Sequence, residues 1–229
     1  MKNNNQKDKR RGGFYWVEGK PYVSVTNVLG SVLRKPGLEY WKMREVYQAM
    51  VKNPSLSEQE ALAAPYAKSD KAKSRGTTIH SLIEFYKGSG EIIKTTPEFQ
   101  PFVNAFKKWV EEHKITIVEQ EKTIVNKKDK YAGTLDLLVK INGNSLPTVI
   151  DIKTSKANGQ TYPDYSLQVS AYIHALYENG VKTNGCGIVV LRENGSFLYE
   201  AIVDCYDEFL AVKKIYEWQN KELFKEYES

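Results

Sequence analysis

Asp136, Asp151 and Lys153 are the residues whose types and spacing most directly specify chemistry. They lie in GTLDLLVKINGNSLPTVIDIKTS, residues 133–155, where two β-rich runs flank the turn signal Asn142-Gly143-Asn144. Antiparallel pairing of the runs brings Asp136 and Asp151 to one end of a sheet. Alternation along the strand then projects Asp151 and Lys153 together and turns Ile152 into the core. Two carboxylates beside an ammonium suit phosphodiester hydrolysis. Hard oxygen ligands hold Mg²⁺, which lowers the pKa of a bound water and bridges a phosphate oxygen. The lysine orients or deprotonates the attacking water, or offsets charge building on phosphate. A solvated strand-edge salt bridge is the other reading of D-x-K, but the apolar run VIDIK argues for partly buried charges, whose cost calls for a reason.

Upstream, RGTTIHSLIEFY carries His80 and Glu84 one helical turn apart. An imidazole added to two carboxylates makes a mixed divalent site in which Mn²⁺ is also acceptable; an ordinary hydrogen-bonded helix histidine is the alternative. Downstream, YSLQVSAYIHAL sets Gln168 and Tyr172 four apart on a helix, an amide and a phenol able to bond Lys153, a metal-bound water or a phosphate. Periodicity alone fits a plain amphipathic helix equally.

The elements that must position these residues follow from hydrophobic period and turn chemistry. FYWVEGKPYV, residues 14–23, predicts two short strands, and residues 24–33 a short helix. Helices are expected over 38–51, between Pro54 and Pro65, over 66–86 with an interruption at Gly76, and over 97–113 with Pro97 in the first turn. A capping box is expected at Ser55 to Glu58. The period then changes to two for strands 115–125, 131–141 and 148–152. A helix over 165–177, a hairpin of 186–192 with 197–203, and a long terminal helix over 206–227 complete the chain. The expected fold class is α/β, with a mixed central sheet and a helical N-terminal region.

The 229 residues, 41% hydrophobic and 27% charged, predict one globular domain spanning 13–229, its part 13–113 mostly helical and its part 114–229 the α/β core. The formal charge of +5 is concentrated: Lys2, Lys7, Lys9, Arg10 and Arg11 against Asp8 give residues 1–12 a local +4. These residues are expected to form a flexible basic tail, serving solubility or weak phosphate attraction. Two cysteines, Cys186 and Cys205, exclude a four-cysteine zinc or iron–sulfur site built from this chain. The sequence has no apolar leader, membrane span or GxxxxGK[ST] phosphate loop, so a cytoplasmic location in a bacterial or phage-infected cell is expected, with no membrane partner and no secretion.

Taken together, G-T-x-x-H-x-x-x-E at 76–84, G-T-L-D at 133–136, D-I-K at 151–153 and Q-x-x-x-Y at 168–172 resemble the RecB-type branch of the PD-(D/E)xK nucleases. Within it the chain looks most like the mitochondrial genome maintenance exonuclease group and its bacterial and phage relatives, through SVTNVL, IDIKTS, SLQVSAY and CGIVVLRENGS. The resemblance spans roughly residues 22–203 and implies a restriction-endonuclease-like α/β/α core. It further implies a Mg²⁺- or Mn²⁺-dependent exonuclease acting on DNA, preferably single strands with a free end, in recombination, repair or end processing. His80, Asp136, Asp151 and the carbonyl of Ile152 are then metal ligands, and Lys153 is the catalytic lysine. Gln168 and Tyr172 arrange the site and contact the DNA backbone, with Glu84 in support. Glu121 is either a further acidic contributor or an ordinary surface strand residue. Relatives with an iron–sulfur cluster carry four cysteines, so none is expected here. Lys68, Lys71, Lys73 and Arg75, leading into the His80 helix, are candidate DNA contacts. A flap or junction endonuclease on the same core is the alternative enzyme, and an inactive nucleic-acid-binding factor the alternative of another class. Protein partners are not specified by any motif.

Overall fold

The structure, a computed structural model, describes residues 9–86, 95–156 and 158–228. Three strands open it: β1 (Lys9–Arg11), β2 (Phe14–Val17) and β3 (Lys20–Ser24). The two-residue turn Glu18-Gly19 has positive φ at both positions, 52° and 77°, the twist a tight hairpin requires. Residues 9–11 pair with β2, so this part of the expected tail is an edge strand; residues 1–8 lie outside the described residues.

Four helices follow: α1 (Val25–Val32), α2 (Pro36–Lys52), α3 (Glu58–Glu84) and α4 (Gln100–Glu112). The expected break at Pro65 is absent. α3 runs for 27 residues through Pro65 and Gly76, started by a capping box two residues later than expected, in which Ser57 and Glu60 bond reciprocally. The proline ring is buried, and the ladder continues on both sides of its one missing donor. Pro97 precedes α4, whose first turn instead holds Pro101.

The remaining elements are β4 (Thr116–Asn126), β5 (Tyr131–Lys140), β6 (Thr148–Ser155), α5 (Pro163–Glu178), β7 (Cys186–Arg192), β8 (Phe197–Ile202), α6 (Tyr206–Gln219) and α7 (Lys221–Glu228). The expected single terminal helix divides at Asn220, whose side-chain amide donates to the Tyr216 carbonyl at 2.8 Å and competes with the helix ladder.

The eight strands among the described residues form one mixed sheet: β4, β5 and β6 are antiparallel neighbours, β6–β7 is parallel, and β7–β8 antiparallel. Each face buries its own apolar layer. Val28, Val169, Leu176, Tyr131 and Phe209 pack α1, α5 and α6 on one side. Ile79, Ile83, Phe102, Phe106 and Trp109 pack α3 and α4 on the other, each contributing roughly 1.5–3 kcal/mol or more by burial. This is the expected α/β/α arrangement, a mixed sheet between two helical layers.

α2 differs from the rest. Among its residues only Glu45 is buried, by an ion pair with Lys68 of α3, while Tyr40, Met43, Tyr47 and Met50 are exposed. α2 lies along α3, joined to it by that ion pair and by Lys42 over the Tyr66 ring, while α3 itself buries Ala61, Pro65, Ile79 and Ile83. No helix among the described residues is long and apolar enough to cross a membrane.

Candidate active site

The site lies where the sheet forks. One edge of β5 pairs with β3 at Tyr131 and Ala132 and with β6 from Leu137 to Val139. Between these lies Gly133 to Asp136. The β5–β6 ladder stops at Leu137–Ile150, one step short of Asp136 and Asp151, and the Ile152 amide donates to Asp136 Oδ2 at 2.6 Å. On the other edge of β5, the pairs Gln120–Leu137 and Lys122–Leu135 bracket Glu121 and Asp136. Glu121, Asp136 and Asp151 therefore form a row across three strands. Glu121 holds this place with φ 46°, a left-handed conformation costing about 1–2 kcal/mol in a non-glycine residue.

α5 closes one side of the row. Asp151 is 1% exposed; its Oδ1 accepts from Gln168 Nε2 at 2.6 Å, and its Oδ2 lies 2.7 Å from Lys153 Nζ. Lys153 in turn donates to Gln168 Oε1 at 3.1 Å, so the amide has one orientation that satisfies both charges. The Gln168 amide also reaches the Tyr172 hydroxyl at 3.1 Å, and Lys153 Nζ stands 4.7 Å over the ring of Tyr165. Burial pushes the Asp151 carboxyl up to about 6, opposed by the Lys153 charge. For Lys153, burial acts downward, but the charges of Asp151 and Asp136 outweigh it and hold the ammonium above its ordinary range.

α3 closes the other side. His80 Nδ1 lies 3.5 Å from Asp136 Oδ1 and 3.8 Å from Glu121 Oε1, while Nε2 is 3.0 Å from the Ile152 carbonyl. Burial would lower the imidazole pKa; Asp136 and Glu121, with the Asp151 charge, instead raise it to about 10. Gln120 ties β4 to this helix by donating to the Ile83 carbonyl at 3.0 Å. Glu84 is exposed and lines the groove beyond His80 with Gly76, Thr77 and Glu121.

His80, Glu121 and Asp136 offer one ligand atom each within 4.8 Å of one another, a group able to hold a metal ion. The donor chemistry fits a divalent cation of the Mg²⁺/Mn²⁺ kind: carboxylate oxygens with one imidazole. Asp151, expected among the ligands, is not one of this group: its Oδ2 is paired with the Lys153 ammonium and its Oδ1 with Gln168. The Ile152 carbonyl, expected among the ligands, is engaged by His80 in this arrangement.

The cavity over the row, about 490 Å³, is lined by all the expected central residues and by Lys73, Thr134, Tyr15 and Tyr165. Of the expected DNA contacts, Lys73 borders it, Lys71 is exposed on the same helix, Lys68 is engaged with Glu45, and Arg75 lies over the Phe102 ring. Sequence reasoning missed Tyr165 and Gln120. Tyr165 carried a signal, standing three residues before Gln168 on one helix; Gln120 carried none, because its partner is a carbonyl of a distant helix.

No protein-family model matches the chain, and no curated protein matches it in sequence. Solved structures with similar arrangements include an alkaline exonuclease, LHK-Exo, from Laribacter hongkongensis, at 14% identity over 90% of each chain with a TM-score of 0.48. LHK-Exo in complex with dAMP matches at 15% identity over 89% of this chain and 94% of that one, TM-score 0.41. The structure of SSO0001 matches at 15% over 84% and 73%, TM-score 0.40.

Proposed function

We propose that this protein is a divalent-metal-dependent DNA exonuclease of the RecB-type PD-(D/E)xK branch, preferring single strands with a free end. What carries the reading is the row Glu121–Asp136–Asp151 at the sheet fork, with His80 on one side and Lys153 clamped by Gln168 on the other. A fold built only for stability gains little from setting Asp151 and Asp136 side by side out of water, since burying a carboxylate costs free energy unless it is paired.

His80, Glu121, Asp136 and Asp151 would hold Mg²⁺ or Mn²⁺, which supplies an activated water and a positive centre against the scissile phosphate. Lys153 remains an ammonium, because its acidic neighbours keep it charged; its part is to donate to phosphate oxygens and offset developing negative charge. Gln168 fixes that ammonium and Asp151 relative to each other, and Tyr172 fixes Gln168. Lys71 and Lys73 offer phosphate contacts on the approach, and the exposed Tyr40, Tyr47 and Tyr66 offer stacking surfaces for bases. End processing in repair or recombination is the role consistent with such an activity.

The test is digestion of end-labelled single-stranded DNA, blocked at either terminus, with Mg²⁺ or Mn²⁺. Mononucleotides or short products from one unblocked end are expected, none with EDTA, and closed single-stranded circles should survive. Cut circles would mean an endonuclease, and binding without cleavage across both metal titrations would mean a non-enzymatic DNA-binding protein.

A pH dependence follows from the acidic row. His80 holds its proton below about pH 10 and Asp151 below about pH 6 in the metal-free protein, and both protons compete with a cation. Metal affinity should therefore rise with pH, about tenfold per unit between 7 and 9, with close to one proton released per ion. Calorimetry in buffers of differing ionisation enthalpy measures both; an affinity flat across that range contradicts the assignment of His80.

A further inference from the structure

A second cavity, about 630 Å³, lies beside the site between the α1–α2 turn and the start of α5. Its volume is within the ~300–1,000 Å³ range of small-molecule sites. Tyr165 lines both cavities, and Lys153 Nζ stands 4.7 Å over its ring. Leu33, Leu38, two prolines and two tyrosines line the second cavity, with Arg34, Lys35 and Asp164. Tyr162 and Tyr165 stand edge to face at 5.5 Å, and Pro36 and Pro163 open the two helices that border it.

The chemistry of the rim selects the occupant. Two helix N-termini meet here and would by themselves favour an anion. That field is already answered by Glu39 in the first turn of α2 and Asp164 in the first turn of α5. The rim cations are likewise paired, Arg34 with Glu39 at 2.8 Å and Lys35 with Asp164 at 2.7 Å. A balanced rim around aromatic and proline walls suits a neutral, planar group with polar edges rather than a second phosphate.

The cavity is also preformed. The Lys35–Asp164 pair ties its two walls together. The loop leading to Tyr162 is pinned by Arg192, which grips the Gly159 carbonyl through Nε at 3.1 Å and Nη2 at 2.7 Å, and by the Thr161 hydroxyl on Glu200. Little ordering remains to be done on binding.

From these features we infer that this cavity is a nucleobase subsite, taking the base of the nucleotide that flanks the scissile phosphate on the Lys153 side, with Tyr162 as its stacking surface. The inference rests on the nuclease reading for its substrate, but it is tested by binding as well as by cleavage. The binding probe is a short single strand carrying 2-aminopurine at successive positions from the end, titrated in EDTA, where no cleavage occurs. One position should be quenched by the wild-type protein and by Lys153→Ala and Tyr162→Phe, but not by Tyr162→Ala. Because Tyr162 is 57% exposed, its truncation leaves the core intact. In cleavage assays with Mg²⁺, Tyr162→Ala should raise KM about tenfold with kcat little changed. It should also lose the wild-type preference for an intact nucleotide over an abasic one at the quenched position. Cleavage by the wild type with no quenched position, or with Tyr162→Ala keeping that preference, overturns the subsite and leaves the nuclease reading standing. Quenching that depends on Tyr162 in a protein that never cleaves supports the subsite and overturns the nuclease reading.

Discussion

Replacing Lys153 by alanine is expected to lower the rate of single-strand cleavage about 10³-fold, with the protein still folded. The rate effect follows from position. Lys153 is the cation aimed into the cavity from the middle of the site, held there by Gln168 at 3.1 Å and Asp151 at 2.7 Å. Removing one preorganised electrostatic group of this kind commonly costs 10²–10³ in kcat. The fold survives because Asp151, already raised to about 6 by burial, takes up a proton once its counter-charge is gone, rather than remaining an isolated buried anion. The variant should also bind metal with a shifted pH dependence, since Asp151 then titrates at higher pH. Single-turnover cleavage beside far-UV circular dichroism checks the prediction. Activity above a tenth of wild type would remove Lys153 from the chemistry.

Gly133→Ala is expected to damage stability and activity together. A Cβ at Gly133 would stand 2.4 Å from Tyr172 Cε1, and Tyr172 is 2% exposed with its hydroxyl engaged by Gln168. Neither strand nor ring can withdraw cheaply from a close-packed layer. Overpacking of this kind costs about 1–3 kcal/mol, or a Tm lower by about 2–12 °C for a chain of this size. Displacing the ring also displaces Gln168, so kcat should fall in proportion to the lost clamp. The control is Tyr172→Leu, which removes the ring atoms that would clash. In that background Gly133→Ala should cost almost nothing in Tm, while activity stays low in both, because the hydroxyl is absent. Additive losses in the double variant would show that the clash is not the cause.

Much of this site was legible in the sequence, and the reason is local. Asp136, Asp151 and Lys153 sit on two strands joined by a short hairpin, so alternation and antiparallel register alone bring them together. Gln168 and Tyr172 follow from helical spacing. The fork was not legible, because it depends on β3 pairing with β5 across more than a hundred residues. For the same reason Glu121 could be read either as a site residue or as a surface residue: only the β4–β5 register puts it opposite Asp136. Pro65 misled in the opposite direction. Its local preference predicts a break, and burial of its ring within a strongly capped helix overrides that preference. The boundary between α6 and α7 turned on a single asparagine side chain, a contact that periodicity does not register.

α2 has a consequence for how the molecule comes apart. α2 buries only Glu45 and is joined to α3 by an ion pair and a cation–π contact, whereas α3 is anchored in the core by Ile79 and Ile83 and β5, β6 and β7 are packed by buried side chains on both faces. Releasing α2 alone exposes less apolar surface than opening the sheet, so its free energy of opening is the smaller and its dependence on denaturant the shallower. Salt weakens its contacts and leaves the sheet almost untouched. The edge of the molecule should therefore open before its centre: α2 is held by contacts that ionic strength weakens, and the sheet with α3 by buried side chains.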